Sequence, residues 1–489
     1  MRRPARRPHR SLRATAPLRV LDGFGGAART ASRYVEPASV DELLDVLAQA
    51  GQESLRVTFR GAGRSYGDAA LNRDGIVIDL QRLTRIESWD RDAGVIDAEP
   101  GLTIEGLWRR TLGDGYWPHV VPGTMRPTLG GCLSMNVHGK NNYRAGTFGD
   151  HVVEFDLVTP GGQRLTCSPS MNDDVFSAAI GGLGLLGAIT RVKLALKRVE
   201  TGFLRVEPVV GGSLDEILAQ FTESLPASDY TVGWIDGLAT GRALGRGVIH
   251  RAKYVSAREV TDANASLSPD RQDLPSSVAG VPHRHLWRLM RPLMFNAGVR
   301  AINTAKFFSS RWQGRHSYLQ SHVAFAFLLD YVPDWRLAYG KSGFIQYQMF
   351  VPHDTARDAL AAVLARCQQR GLPAYLGVLK RHRPDRFLLS HAVDGWSLAL
   401  DFRIGHHREA LLRLTDELTA IVLEAGGRFY FAKDSVLRPE DVLRAYGRER
   451  IERFLAIKAR LDPNDLLTSD LWRRVIDGGD RAARERPAV

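Results

Sequence analysis

The sequence predicts a mixed α+β protein of two domains, and three observations carry that prediction. Glycine-rich loops at 60–68, 122–131 and 181–187 are each set among strand-like runs in the first part of the chain. A strand, helix, strand, strand, helix order follows residue 343, the pattern of an α+β domain. Hydrophobic residues make up 44% and charged residues 25% of the 489, so there is apolar side chain enough for packed cores and disorder over most of the length is excluded.

Taken in order, regular structure begins near Tyr34. Ser39 followed by Glu42 forms a capping pair for a helix with Leu43, Leu44, Val46 and Leu47 on one face, stopped near Gly51. Residues 55–59 read as a strand entering the first glycine loop, and 75–80 as a short buried strand. A strand pair covers 86–89 and 94–98, and Thr103 caps a helix to Leu112 through Ile104, Leu107 and Trp108. Residues 152–159 and 163–168 flank Pro160-Gly161-Gly162, a hairpin signal. A helix from Asn172 leads to the third glycine loop, after which 189–196 alternates like a half-exposed strand.

The composition then changes. Residues 256–282 are polar and rich in proline and serine, and read as a loop or mobile insert. Residues 283–308 are basic and aromatic with helical spacing. Strands are expected at 343–351, 374–379 and 396–402, and helices at 355–367, 407–424 and 441–461. The divisions that follow are a disordered basic arm at 1–20, a first domain at 21–199, a second at 200–427, a return to the first at 428–475 and a tail at 476–489.

The formal net charge is +12, and much of it is local. Seven arginines and no acid lie before residue 21, with Pro4, Pro8 and Pro17 opposing a helix. No apolar run follows them, so this is not a secretory signal. The arm reads as a solvated tail or as an electrostatic contact for anionic lipid or nucleic acid, and Arg473, Arg474, Arg481, Arg484 and Arg486 read the same way. Elsewhere the charge is thin and no nucleic-acid module is visible, which argues against a specific nucleic-acid role. Cys132, Cys167 and Cys367 are too scattered for a disulfide framework or a metal site, and point to a reducing, cytoplasmic compartment. No apolar run approaches the ~20 residues that span a bilayer.

Glycine loops after strands let backbone N–H groups approach phosphates without a Cβ in the way. The first loop is not a Rossmann fingerprint, because Gly61, Gly63 and Gly67 are followed by a strand with no room for a helix. A Walker A loop also fails, since Gly139-Lys140 precedes Asn141 rather than Ser or Thr. The three loops in this order and at these separations resemble instead the FAD-binding domain of the vanillyl-alcohol oxidase (PCMH) superfamily. Further motifs at 60–68, 138–141, 343–348, 378–380, 395–401 and 430–435 resemble the decaprenylphosphoryl-β-D-ribose 2′-oxidase group. The resemblance runs from 51 to 474 and is weak between 200 and 319.

That resemblance implies a PCMH-type FAD-binding domain of two subdomains and an α+β substrate, or cap, domain with a mixed or antiparallel sheet. It implies FAD contacts from Arg60, Gly61, Ala62, Gly63, Arg64, Ser65 and Tyr66 at the pyrophosphate. It puts Pro122, Gly123, Thr124, Thr128, Gly130 and Gly131 along the ribityl chain and ring, with His138, Asn141, Ile189 and Tyr430 also at the cofactor. Lys140, Gln346, Gln348, Lys380 and Ser397 are implied on the substrate side. Lys433, His138 and Tyr66 are the catalytic candidates: oxidising an alcohol needs a base, for which Lys433 and His138 qualify, and Lys433 qualifies equally as a cation beside reduced flavin. The implied reaction converts a ring hydroxyl to a ketone on a polyprenyl-phosphate pentose, the first half of a 2′-epimerisation in arabinan precursor synthesis that a short-chain reductase would complete. An alditol or aldono-lactone oxidase of the same superfamily is the other reading.

Two departures stand out. Arg64 occupies the position where several relatives carry a histidine bonded to FAD, so noncovalent FAD is expected. Ala399 occupies the position of the family's pocket cysteine, so a thiol-capturing inhibitor is not expected to bond here. With a lipid-linked substrate, the basic arm and the aromatic-basic stretch 287–295 would hold the protein at a membrane surface.

Overall fold

The computed structural model describes residues 11–278, 280–314 and 316–477. It is a mixed α/β chain with several sheets. The first joins β1 (Leu18–Asp22), β2 (Arg29–Val35), β3 (Val57–Arg60) and β4 (Ile76–Asp79) in the order β1-β2-β4-β3, with β4 parallel to both β2 and β3. The second contains β5 (Ile86–Asp90), β6 (Val95–Ala98), β7 (Tyr116–Pro118), β8 (Val152–Val158), β9 (Arg164–Cys167) and β10 (Ala188–Arg198). Its order is β5-β6-β10-β8-β9, with β7 also on β10, all antiparallel.

The third sheet draws on β11 (Phe203–Gly211), β12 (Tyr230–Ile235) and β13 (Gly247–Tyr254), then, past a small hairpin of β14 (Ser277–Val278) and β15 (Val281–Pro282), on the rest of the chain. Its later strands are β16 (Tyr318–Ser321), β17 (Phe344–Pro352), β18 (Leu376–His382), β19 (Gly395–Arg403) and β20 (Arg428–Phe429), in the order β16-β11-β13-β12-β18-β19-β17-β20. Strands β17 and β19 are buried along almost their whole length, with Gln346, Gln348 and Asp401 buried among their apolar residues. Helices His353–Gln369 and Arg408–Glu424 bury Leu360, Val363, Leu414 and Leu418 in the main core.

Local signals explain most element boundaries. Ser39 caps Val40–Gln52 by accepting from Glu42 N, and Glu42 reaches back to Ala38 N. Thr103 caps Ile104–Thr111 through Gly106 N. The single expected helix at 441–461 is two, Pro439–Tyr446 and Arg448–Leu461, because Gly447 between them takes φ 81° and breaks the helical path.

The expected disordered arm needs correction over its second half; residues 1–10 lie outside the described residues. Ser11 caps a helical turn at Leu12–Thr15, Leu12 and Ala16 bury themselves against Leu43, Leu47 and Ala50, and β1 pairs with β2. Glu53 holds the turn by accepting from Leu12 N (2.6 Å) and Ser11 Oγ (2.7 Å). Among the arginines that suggested a solvated tail, Leu12 and Ala16 pack while Leu18 and Val20 stay exposed, and Arg19 lies 4.2 Å from the Tyr34 ring centroid. The segment 256–282 is likewise tied down by polar side chains: buried Gln272 donates to Gly202 O (3.0 Å) and Ser266 O (2.9 Å). At the far end Arg473 and Arg474 belong to the helix Asp470–Val475, while Arg481, Arg484 and Arg486 lie outside the described residues. The C-terminal segment also joins the first sheet, where Val57 N donates to Leu466 O (2.8 Å) and Thr468 N to Val57 O (2.9 Å). Among the described residues no helix is long and apolar enough to cross a membrane.

Candidate active site

A cavity of about 550 Å³ runs between the three glycine loops and one face of the third sheet. The first loop leaves β3 and turns at Gly63 (φ 62°). Among the described residues, no N–H from Gly61 to Ser65 finds an intramolecular acceptor. Arg64 Nε is buried and unpartnered as well. Unsatisfied donors are costly in a native interior, and a row of them beside a guanidinium is a cradle for an anion. A Cβ on Gly61 would stand 2.3 Å from Thr128 Oγ1, so the first two loops touch there only because the residue is glycine. A Cβ on Gly130 would stand 2.8 Å from Pro100 Cβ, which packs the second loop against the chain before it. Leu183, Gly184, Gly187 and Ile189 bring the third loop to the same cavity. These residues fit the phosphates and flat ring of FAD.

The loop is locked from behind by the C-terminal return. Tyr66 N donates to Ala432 O (2.7 Å), and Lys433 Nζ lies 3.3 Å from the Tyr66 ring centroid. Arg474 donates to Asp68 Oδ1 (2.7 Å) and Asp434 Oδ2 (2.9 Å). Burial alone would lower the Arg474 pKa, but Asp434 and Asp68 more than offset it, and it is raised. Because Asp434 belongs to Arg474, Lys433 makes no ion pair among the described residues. Burial lowers the Lys433 pKa to about 7, with Asp401 opposing and Lys380 adding to the effect. Gly67 sits inside this lock: a Cβ there would be 1.9 Å from Asp434 O. Gly67→Ala is therefore expected to destabilise the fold by about 1–3 kcal/mol and to purify with little flavin. The ratio of visible to ultraviolet absorbance reads this directly; full loading and an unchanged melting temperature would sink the argument.

The sheet face opposite carries Gln346 and Gln348 on β17, Ala399 on β19, and Leu376, Val378 and Lys380 on β18. The two-residue period of a strand puts each set on one side. Gln346 Nε2 donates to buried Asp401 Oδ1 (2.6 Å), whose pKa burial raises to about 6. His138 meets Gln348 Nε2 through its Nε2 (3.1 Å) and Lys380 Nζ through its Nδ1 (3.4 Å). Burial and the positive charge of Lys380 hold its pKa well below the usual histidine value, so it is neutral. Nδ1 accepts from the Lys380 ammonium, which leaves the proton on Nε2 and calls for the Gln348 amide oxygen to face it. Burial also lowers Lys380, to about 8.

The structure thus brings together at one cavity Arg60 to Tyr66, Pro122, Gly123, Thr124, Thr128, Gly130, Gly131, His138, Ile189, Gln346, Gln348, Lys380, Tyr430 and Lys433. Two of these have partners that limit their role. The Arg60 guanidinium donates to Ala70 O and Asp22 O (both 3.1 Å) and so braces the loop. The Thr124 hydroxyl donates to Asp330 Oδ1 (2.7 Å).

Three expected residues fall outside the cavity lining. Ser397 is fully buried, its Oγ 2.7 Å from His382 Nε2. Lys140 turns away to the Phe325 carbonyl and ring. Asn141 donates to His119 O (2.8 Å) and shapes its own loop. In each case a nearer hydrogen-bond partner claims the polar head. Sequence reading missed Trp234, His250 and Lys306, which line the cavity from β12, β13 and the helix Asn296–Gln313. Lys306 Nζ lies 4.3 Å from the Trp234 ring centroid. None of the three cysteines lines the cavity, and all are buried.

Residues 31–168 match the FAD binding domain family. The chain is 32% identical over 463 residues to decaprenylphosphoryl-beta-D-ribose oxidase of Mycolicibacterium smegmatis, covering 93% of this chain and 97% of that one. It is 26% identical over 454 residues to L-gulono-1,4-lactone dehydrogenase of Mycobacterium tuberculosis, covering 91% and 96%. With cytokinin dehydrogenase 1 of Oryza sativa subsp. japonica it shares 33% over 166 residues, 33% of this chain and 31% of that one.

Proposed function

Because the chain belongs to the family of FAD-binding proteins that includes decaprenylphosphoryl-β-D-ribose oxidase, we propose that it oxidises a secondary sugar hydroxyl to a ketone on a polyprenyl-phosphate pentose. It is an FAD-dependent oxidoreductase acting on CH–OH groups. The observation that carries the finer reading is Lys433, a lysine near neutrality without a paired carboxylate, in the same cavity as Lys380.

FAD, when bound, supplies the hydride acceptor. The sheets β1–β4 and β5–β10 are the two subdomains between which it would extend. The free N–H groups of 61–65 and the Arg64 guanidinium would hold its pyrophosphate. Neutral Lys433 takes the hydroxyl proton as the C–H bond breaks. Gln346, fixed by Asp401, and Gln348, fixed by His138, orient the sugar. His138 acts through its two partners, since both ring nitrogens are engaged. Lys380 offers positive charge to the substrate phosphate. The keto product passes to a short-chain reductase that returns the hydroxyl in the opposite configuration.

Anaerobic titration with a polyprenyl-phosphoryl ribose is expected to bleach the visible flavin band at one equivalent. Bleaching by free lactones or polyols alone would refute the lipid-linked substrate and leave the oxidoreductase. Since Arg64 cannot form a flavin bond, acid precipitation is expected to leave all the colour in the supernatant; colour in the pellet would refute noncovalent binding.

A further inference from the structure

From Leu274 to Leu329 the chain carries Arg284, Arg288, Arg291, Arg300, Lys306, Arg311 and Arg315 and not one Asp or Glu. Acids make up 54 of the 489 residues, so a run this long would ordinarily hold several. Its helices, Leu286–Met290 and Asn296–Gln313, leave large apolar side chains in solvent: Leu289 at 58%, Phe308 at 56% and Trp312 at 93% exposure. On Asn296–Gln313, Ala301, Ala305, Phe308 and Trp312 follow the spacing of one helical face, and Val299, Asn303 and Phe307 face inward. Arg300 and Arg311 line one edge of the outward stripe. Lys306 of the same helix lines the cavity, as do Leu328 and Leu329 at the end of the acid-free run.

An outward aromatic stripe on a helix whose charged residues are all cations suits a surface that is apolar beneath and negative on top. We propose that the outward face of Leu286–Met290 and Asn296–Gln313 docks on an anionic lipid bilayer and sets the cavity beside the headgroup layer. The charge pattern and exposed aromatics carry this independently of the substrate, and the test reads binding rather than turnover.

The full chain is sedimented with vesicles of phosphatidylglycerol and phosphatidylcholine in equal parts, with phosphatidylcholine alone, and again at about 1 M salt, where charges are screened within about 3 Å. Binding is expected only to the anionic vesicles at low salt. Substituting Phe308→Ser with Trp312→Ser, or Arg300→Ser with Arg311→Ser, is expected to lower partitioning about tenfold or more, with the flavin spectrum unchanged. Equal binding by all three proteins would overturn the proposal by putting the contact elsewhere, such as on the N-terminal arginines. So would a wild type that ignores vesicles and sediments as a dimer which Trp312→Ser dissociates.

Discussion

Lys433→Ala is expected to lower kcat by about 10²- to 10⁴-fold, the usual contribution of a positioned base, while the protein still purifies yellow. The neutral amine is the active form, and its pKa is about 7. The rate of the wild type should therefore rise as pH increases through neutrality and level off above it. Lys433→Arg keeps the charge but stays protonated, so it should be nearly as inactive as alanine. Asp401 holds the Lys433 pKa up; removing its charge in Asp401→Asn favours the neutral amine, so the rising limb should move to lower pH. An active Lys433→Arg, or a rate that falls through neutrality, would instead make Lys433 an electrostatic cation.

Arg474→Met should cost about 3–5 kcal/mol, because it strands two carboxylates in a region closed to water. Asp434 and Asp68 side chains are 3% and 15% exposed. Urea unfolding reads the stability, and retention of FAD through gel filtration reads the loop. Adding Asp68→Asn and Asp434→Asn to Arg474→Met should recover part of the loss, since the stranded charges are then gone. A single variant as stable as the wild type would show that the three groups are not acting as one lock.

The glycine loops were legible because only glycine tolerates such close approach, as at Gly61 against Thr128. Gln346 and Gln348 were legible through the resemblance at 343–348, and the two-residue period of a strand is what keeps both on the cavity face. Ser397 was misread because a motif match carries a position over but does not say how far the cavity extends along the strand. Its hydroxyl is spent on His382, fifteen residues earlier in the chain. Lys306 and Trp234 escaped for a different reason: they lie in 200–319, where the resemblance is weak, and their meeting depends on a helix packing across a sheet. Arg474 was hidden among arginines that looked like a solvated tail. A charge run does not announce which member will be buried, and here two distant carboxylates decide it.

The first sheet is completed by residues made long after its own strands. Val57 shares hydrogen bonds with Leu466 and Thr468, and Arg56 with Asp465, 409 positions away. The loop after Val57 leans on Ala432 and Arg474. A nascent chain halted after its first domain would thus hold every glycine of the phosphate cradle, yet lack the strand edge and the lock that hold that cradle in shape. Closing so long a loop costs entropy before any contact offsets it, and contacts so remote in sequence slow folding. Cofactor capture should therefore await synthesis of the C-terminal return, and a fragment ending near residue 199 should emerge colourless.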